Sequence, residues 1–213
     1  MSSDWFLSDY KKYADSVVSW NRLADGGVND VSLKKRELQR VLVQEEWEEV
    51  LAANRKRDKE GFLKELCDLF VVLSYQVFLE YHGAYKHSKN LFIGRPVGTI
   101  HFGLQDIGDA IHTNDCRTAL KRVIGVMTLL DADVKGALQA ICDNNMSKFT
   151  PYQVKDEYFY GEEAISIEVN SQGRYRDISW EMTDGMVIFR DGNNKIMKPL
   201  NYKQVSLKEF ING

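Results

Sequence analysis

Two acidic segments stand close together in the chain, and a basic linker joins them. EEWEE at positions 45–49 holds four glutamates in five positions, and ELCD at 65–68 places Glu65 and Asp68 inside an apolar run. Acids three or four positions apart share one face of a helix. If both segments are helical, Glu46 and Glu49 form one acidic pair, and Glu65 with Asp68 forms a second.

Both pairs point toward apolar surface when they are projected at about 100° per residue. The apolar face next to the first pair consists of Leu38, Val41, Leu42, Ala52 and Ala53. The linker NRKRDK is short, so the two helices should form an antiparallel hairpin whose acids face each other. Among basic residues, only Lys64 and Arg40 fall near the edges of these faces.

Facing carboxylates repel one another and are costly to bury, so something positive must neutralise them. The choices are basic side chains, protonation or a metal ion. Oxygen ligands at this spacing on facing helices favour Mg²⁺, with Mn²⁺ also suitable. The ordinary alternative is a solvated acidic face with i,i+4 ion pairs. A lone EExxE or ExxD would favour that alternative, whereas the two pairs on apolar stripes together favour a metal site.

The pattern resembles a known signature. EEWEE, a spacer and ELCD are similar to the EExxE and ExxD motifs of the all-α nucleoside triphosphate pyrophosphohydrolases, which include MazG-like, dimeric dUTPase-like and phosphoribosyl-ATP pyrophosphohydrolase-like enzymes. DNNMSKF at 143–149 resembles the NxxK segment of the last branch, and RDGNNKIMKPLNYKQVSL resembles its closing segment. The core similarity covers roughly residues 5–82 and 131–149.

The resemblance implies a role for each matching residue. It implies four metal ligands: Glu46, Glu49, Glu65 and Asp68. Glu45 takes an additional acidic position, and Glu45 or Glu46 would be the general base, since crowding among like charges holds one carboxyl pKa nearer neutrality. Asn145 and Lys148 would contact phosphate.

Further substrate contacts are predicted outside the acidic motifs. The candidates are Lys56, Arg57, Lys195, Lys198 and Trp20. The two linker cations and the two lysines near the end would help to hold phosphate, and the alternative for each pair is a solvated loop. Trp20 would stack on a base, and its alternative is an ordinary core position.

Apolar periodicity and capping residues predict the helices. They place helices over 4–24, over 32–54 with Ser32 as N-cap, and over 60–81. An irregular insertion is expected from 83 to about 114, although helical spacing returns near 104–112. Helices are also expected over 115–130 and from Asp133 onward.

Alternating polarity after Pro151 predicts three short antiparallel strands, in EEAISIEVN, RYRDISWEM and GMVIFRDG. The predicted fold is mainly α: an antiparallel helical bundle of the all-α pyrophosphohydrolase type over 1–150. A small antiparallel β-rich extension over 151–213 would pack on or over the active site.

Composition limits the partners. The 213 residues carry a formal net charge of −3, so there is no global basic field for nucleic acid or an anionic membrane. The start lacks an apolar leader, and the longest apolar run, LFVVLSYQVFL, is too short for a bilayer. Cys67, Cys116 and Cys142 have no metal-ligand spacing and predict reduced core thiols. We expect a cytoplasmic protein.

The function that the resemblance implies is Mg²⁺-dependent hydrolysis of a nucleoside triphosphate to its monophosphate and pyrophosphate, in a homodimer or homotetramer. Two alternatives stay open. One is a nucleotide-binding sensor or oligomeric scaffold without turnover. The other is hydrolysis of phosphoribosyl-ATP.

Overall fold

A computed structural model describes residues 4–82, 92, 94–151, 154–155, 158–159, 166, 169–170, 173, 175–199, 202 and 204–212. Within them the chain is mainly helical with a small antiparallel sheet, as predicted. The helices are α1 Asp4–Ala24, α2 Leu33–Lys56, α3 Lys59–Glu80, α4 Ile100–His112, α5 Cys116–Met127 and α6 Val134–Met146, with a 3-10 helix at Lys208–Phe210. The strands are β1 Thr150–Pro151, β2 Val154–Lys155, β3 Tyr158–Phe159, β4 Ser179–Thr183 and β5 Met186–Arg190.

Side-chain caps fix where four of the helices begin. Ser32 accepts a hydrogen bond from the backbone N–H of Lys35 at 3.2 Å, which confirms the predicted N-cap of α2. The equivalent caps of α3, α4 and α5 are Asp58, Thr99 and Asp115. Each cap satisfies an N–H group that would otherwise have no partner in the first turn.

The sheet only partly follows the prediction. β4 and β5 pair antiparallel, with Trp180 opposite Phe189, and β1 pairs with the other edge of β5. The strand predicted over 162–170 is wrong where the structure describes it, because residues 166 and 169–170 are helical. The Asn170 amide donates to the Ser166 hydroxyl at 3.1 Å, a contact one helical turn apart. The rest of that segment lies outside the described residues.

The chain divides into two compact units. The first comprises Met1–Val18, Asp30–Cys142 and Ser206–Gly213, and the second comprises Ser19–Asn29 and Asp143–Val205. Neither unit is one uninterrupted stretch, whereas the sequence predicts a division near residue 150. The predicted packing of the β-rich extension over the acidic site stays a prediction.

Helix α3 is the centre of the first unit. Its side chains from Phe62 to Leu79 are mostly buried, as predicted for this apolar run. α1 packs on one side, where the Tyr10 and Phe70 rings lie 6.1 Å apart and Val17 joins a cluster with Tyr75. α2 and α5 also pack against α3. A helix surrounded in this way has little freedom to shift its polar side chains.

Helices α2 and α3 are antiparallel neighbours, as predicted. The Gln39 amide donates to the Val72 carbonyl at 3.0 Å, and the Arg40 guanidinium lies 3.7 Å from the Glu80 carboxylate. Further along α2, Glu49 lies beside Glu65. The two helices therefore run in opposite directions.

The face of α2 that packs inward differs from the prediction. Leu38 and Val41 are 56% and 53% exposed, whereas the buried set is Gln39, Val43, Trp47, Val50 and Ala53. Gln39 can be buried because its amide has a carbonyl partner on α3. The predicted apolar face is therefore right at Ala53 and wrong at Leu38 and Val41.

α4 confirms the helical spacing predicted near 104–112 but begins earlier, so the predicted irregular insertion is wrong over residues 100–103. α4 begins at Ile100, where the Thr99 hydroxyl accepts from the Phe102 N–H at 3.2 Å. Leu104, Ile107 and Ile111 then recur at helical spacing and are buried. Residues 83–91 and 93 lie outside the description.

The second unit has an apolar cluster and a well-bonded cation. Trp20 and Phe149 pack edge to face with ring centroids 6.1 Å apart, beside Ile188 of β5. The Arg190 guanidinium donates to the Glu181 carboxylate at 2.8 and 2.9 Å and also to the Ala24 carbonyl.

No helix in the described part of the chain is both long and apolar enough to cross a bilayer.

Candidate functional site

Three of the predicted acids converge on the facing sides of α2 and α3. One carboxylate oxygen each from Glu46, Glu49 and Glu65 lies within 4.8 Å of the others. Glu46 and Glu65 are half-buried, whereas Glu49 is exposed. The α2–α3 pairing holds these positions together, because the acids occupy one turn of each antiparallel helix. We call Glu46, Glu49, Glu65 and the nearby Asp68 the acid cluster.

Lys64 is the cation of the acid cluster. Its ammonium lies 2.9 Å from a Glu65 oxygen and 2.9 Å from an Asp68 oxygen. Burial works against the charge of Lys64, but Asp68 and Glu65 outweigh that effect and raise its pKa. One ammonium therefore serves two of the four carboxylates, and the cluster keeps an excess of negative charge.

Burial and crowding shift the protonation of the acids. Burial, followed by repulsion from Asp68, Glu49 and Glu65, raises the pKa of Glu46 from 4.5 to about 8. The pKa of Glu65 is raised as well, first by burial, while Lys64 opposes the shift and Glu49 adds to it. In the chain alone, Glu46 is therefore largely protonated at neutral pH.

One carboxylate oxygen in the acid cluster is buried without a partner. Glu65 Oε2 has no hydrogen-bond donor among the described residues, whereas Glu65 Oε1 accepts from Lys64. A buried acceptor left unsatisfied costs about 1–3 kcal/mol. A divalent cation held by oxygen ligands would supply the missing partner, so the donor set fits Mg²⁺ or Mn²⁺.

Asp68 and Glu45 are not among the three converging carboxylates, and their positions differ from each other. Asp68 lies one turn along α3 from Glu65 and is bound to Lys64, and it is near enough to raise the pKa of Glu46. Glu45 is exposed on α2 and is not one of the three converging carboxylates. Of the two predicted candidates for a general base, Glu46 is the one inside the acid cluster.

The NxxK residues form a separate group in the second unit. The Lys148 ammonium donates to the Asn145 side-chain oxygen at 2.8 Å and lies 5.6 Å from the centroid of the Trp20 ring. Trp20 packs in the apolar cluster of that unit, which agrees with its alternative as a core residue. Its ring N–H is buried with no acceptor in the described part of the chain.

The four remaining predicted contacts are all exposed. Lys56 is the last residue of α2, and Arg57 caps that helix. Lys195 closes a turn in which its N–H donates to Asp191 at 2.9 Å. The Lys198 ammonium lies 4.7 Å from the centroid of the Tyr202 ring. Their predicted roles in phosphate binding stay predictions.

Lys64 has a larger part in the acid cluster than the sequence predicts. It was placed at the edge of the acidic faces, yet it binds two acids of the cluster. The signal was present, because Asp68 follows Lys64 by four positions and a lysine side chain is long enough to reach it.

Comparisons with protein-family models, curated proteins and solved structures gave no match for this chain.

Proposed function

We propose that the chain is a divalent-metal-dependent nucleoside triphosphate pyrophosphohydrolase, related to the all-α superfamily that its motifs resemble. The reaction would convert a ribo- or deoxynucleoside triphosphate to its monophosphate and pyrophosphate. The observation that carries the proposal is the convergence of the Glu46, Glu49 and Glu65 carboxylates, together with the buried Glu65 oxygen that has no hydrogen-bond partner among the described residues. A fold gains little stability from such an arrangement unless a cation completes it.

The acid cluster would hold the metal through Glu46, Glu49, Glu65 and Asp68. Bound there, Mg²⁺ would offset the charge of the phosphates and activate a water for attack at the α-phosphorus. Glu65 is half-buried and accepts from Lys64 through one oxygen, which leaves its other oxygen without a partner in the described part of the chain and available to a metal. Glu49 is exposed and would be the ligand nearest to incoming substrate.

Glu46 is the candidate for the general base. Its pKa is about 8 in the chain alone, and a cation bound in the cluster would lower it, so that the carboxylate could accept a proton near neutral pH. The Glu46 carboxylate would accept the proton of the attacking water, and the neighbouring negative charges would favour that protonated state. No nucleophilic side chain is needed for this reaction.

A homo-oligomer is part of the proposal. Leu38 and Val41 lie three positions apart on one face of α2 and are both more than half exposed, and Leu33 is 61% exposed. Exposed apolar side chains grouped on one helix face are typical of protein contacts. A second copy covering this face would bring two α2 helices together.

A second candidate function is nucleotide binding without turnover. The observation that favours it is the ion pair of Lys64 with Glu65 and Asp68, which gives two of the acids a partner within the chain. In that case the acid cluster would be held by Lys64 and would not require a metal. Binding and turnover assays separate the two candidates.

The deciding experiment measures pyrophosphate release from eight ribo- and deoxynucleoside triphosphates and from phosphoribosyl-ATP. Each reaction is run with Mg²⁺, with Mn²⁺ and with EDTA, and products are identified by chromatography. The expected result is metal-dependent formation of a nucleoside monophosphate. Turnover of phosphoribosyl-ATP alone would assign that reaction instead. Nucleotide binding without turnover would favour the second candidate.

Glu48→Gln is the matched control for substitutions in the acid cluster. Glu48 is exposed on the same helix, and its carboxylate accepts from Gln44 at 3.2 Å. It is not one of the converging acids. Loss of activity in Glu49→Gln but not in Glu48→Gln would locate the reaction at the acid cluster. Equal losses in the two variants would contradict that location.

A further inference from the structure

A cavity of about 390 Å³ lies in the first unit beside the turn that connects α2 and α3. Its walls include Ala53 at the end of α2, Leu63 at the start of α3, Leu129 after α5, and Ile211 near the end of the chain. Small-molecule sites have volumes of about 300–1,000 Å³. None of the four acids of the cluster lines this hairpin cavity, so it is a feature separate from the proposed metal site.

Hydrogen bonds hold two walls of the hairpin cavity in place. The Asn212 N–H donates to the Asp131 carbonyl at 3.2 Å, and the Asp133 N–H donates to the Phe210 carbonyl at 2.7 Å. The Glu60 carboxylate on α3 accepts from the Leu207 N–H at 2.9 Å. The segment that carries Ile211 is therefore fixed to both α3 and the 129–132 segment, and the cavity is already formed in the chain alone.

The interior of the hairpin cavity is apolar, and its edge includes an unusually exposed leucine. Leu63 is 1% exposed and Phe62 is 9% exposed, whereas Leu129 is 43% exposed. A ligand with an apolar body would cover Leu129 and remove its apolar surface from water, which favours binding. The shape and polarity therefore favour an aromatic or branched aliphatic group.

Two acids and two cations line the cavity, and the acids are the ones already hydrogen-bonded within the fold. Both acids on the cavity wall have partners within the fold: Asp58 accepts from the Gly61 N–H at 3.0 Å, and Asp131 accepts from the Asn212 amide at 2.9 Å. Arg57 and Lys59 also line the cavity. No hydrogen bond or ion pair to another described residue engages either of their cationic groups. An anion at the cavity edge would meet two free cations.

Arg57 has a backbone conformation that glycine or asparagine usually adopts. Its φ of 55° and ψ of 31° put it in the left-handed region, where helix C-terminal positions usually carry glycine or asparagine. A residue with a Cβ atom adopts this conformation unfavourably. The turn nevertheless presents a guanidinium at the cavity edge, which is consistent with a binding role for that side chain.

We infer that the hairpin cavity binds a small organic anion with an aromatic or branched aliphatic body, whose anionic group contacts Arg57 and Lys59. This site is independent of the acid cluster and of any metal. The recognised chemistry is a phosphate or carboxylate attached to an apolar group. Because the site does not require turnover, it can be tested whether or not the proposed hydrolase activity exists.

The test is a fluorescence titration of the full chain with 8-anilinonaphthalene-1-sulfonate, an aromatic anion, in EDTA. We expect one saturable site. Arg57→Gln should weaken binding roughly tenfold, because a hydrogen bond to a charged group is lost. Leu129→Gln should also weaken it, because apolar contact is lost. Circular dichroism melts of each variant would check that the fold is retained.

Arg55→Gln is the matched control. Arg55 lies in the last turn of α2, it is exposed, and it does not line the cavity. This control should bind the probe as the unsubstituted chain does. Arg57→Gly adds a second test, because it should weaken binding while the free energy of unfolding stays equal or rises. Equal binding by all variants, or no saturable binding, would overturn the inference.

Competition against the bound probe identifies the source of the anion. Displacement by a nucleoside monophosphate would assign a nucleotide ligand, and displacement by phenylpyruvate would assign an aromatic carboxylate. Either result should be lost with Arg57→Gln.

Discussion

Charge is handled in opposite ways in the two units of the molecule. In the second unit, Arg190 and Glu181 form a pair in which two guanidinium N–H groups meet one carboxylate oxygen at 2.8 and 2.9 Å. In the first unit, the Lys64 ammonium binds only two of the four acids of the cluster, and Glu65 Oε2 has no partner in the described part of the chain. The first arrangement is compensated within the chain, and the second is not.

The difference separates a structural charge from a charge that is available to a ligand. A paired cation with its hydrogen bonds made stabilises the fold, and nothing outside the chain is needed. An excess of buried acid opposes folding and is relieved by protonation or by a bound cation. Substitutions in the two regions should therefore have different consequences, and the following predictions test that difference from the largest effect to the smallest.

The largest expected effect is that of Glu49→Gln on turnover. Metal-dependent pyrophosphate release should fall by about a hundredfold or more, because a ligand of the proposed metal is lost. The metal-free chain should be as stable as before, or slightly more stable, because a like-charge repulsion is removed. Steady-state kinetics and urea unfolding in EDTA measure the two effects. Near-normal turnover would remove Glu49 from the site.

The next effect is a fall in stability as pH rises. The pKa of Glu46 is raised from 4.5 to about 8 in the folded chain, so the folded state holds this proton to higher pH than the unfolded state does. Stability from this group is complete below pH 4.5 and is lost as pH rises toward 8. We expect a loss on the order of 2 kcal/mol after allowance for solvent screening of this half-buried side chain.

Urea unfolding at several pH values between 5 and 8, in EDTA, measures this dependence. Glu46→Gln should flatten it, since an amide does not titrate in this range. Saturating Mg²⁺ should reverse the trend if the metal binds at the cluster, because it favours the ionised carboxylate. A free energy of unfolding that rises steadily with pH in EDTA would contradict the prediction.

Arg190→Met should destabilise the protein by about 1–2 kcal/mol without changing metal affinity. The substitution keeps the apolar stem but leaves Glu181 and the Ala24 carbonyl without their donor. Thermal unfolding gives the stability change, and calorimetric titration with Mn²⁺ gives the affinity. Lys11→Met is the comparison, because the Lys11–Asp15 pair is exposed and should contribute less than about 1 kcal/mol. Equal losses in both variants would contradict the prediction.

The smallest expected effect is that of Lys64→Gln on metal affinity. Removing the ammonium takes away the cation that competes for Glu65 and Asp68, so Mn²⁺ should bind severalfold more tightly. Stability in EDTA should fall by up to about 1 kcal/mol, because the acids lose their partner. Lys34→Gln on α2 serves as the control. Weaker metal binding in Lys64→Gln would show that this lysine supports the site and does not compete with it.

The sequence predicted the helices well because their signals are local. Helix α1 was predicted over 4–24 and observed over Asp4–Ala24, and Ser32 caps α2 as expected. Apolar spacing and capping residues act within one or two turns, so they can be recognised without knowing the rest of the fold. The same holds for β4 and β5, which flank the Asp184-Gly185 turn.

The errors concern contacts that are distant in the chain. Leu38 and Val41 were assigned to the buried face, but the helix buries Gln39, which finds a carbonyl on α3. Hydrophobicity alone cannot distinguish these faces, because the deciding hydrogen bond joins residues 33 positions apart. The meeting of Glu46 and Glu49 with Glu65 was predictable, because a short antiparallel hairpin restricts the register.

The three buried cysteines can report local opening of the helices that carry them. Cys67 in α3, Cys116 in α5 and Cys142 in α6 form no disulfide and are no more than 3% exposed. Burial raises the pKa of Cys67 and raises that of Cys116 to about 12, so these two thiols resist alkylation while they stay enclosed. The labelling rate at each cysteine therefore reports how often its helix separates from its neighbours, and the unmodified chain can be followed at three separate places.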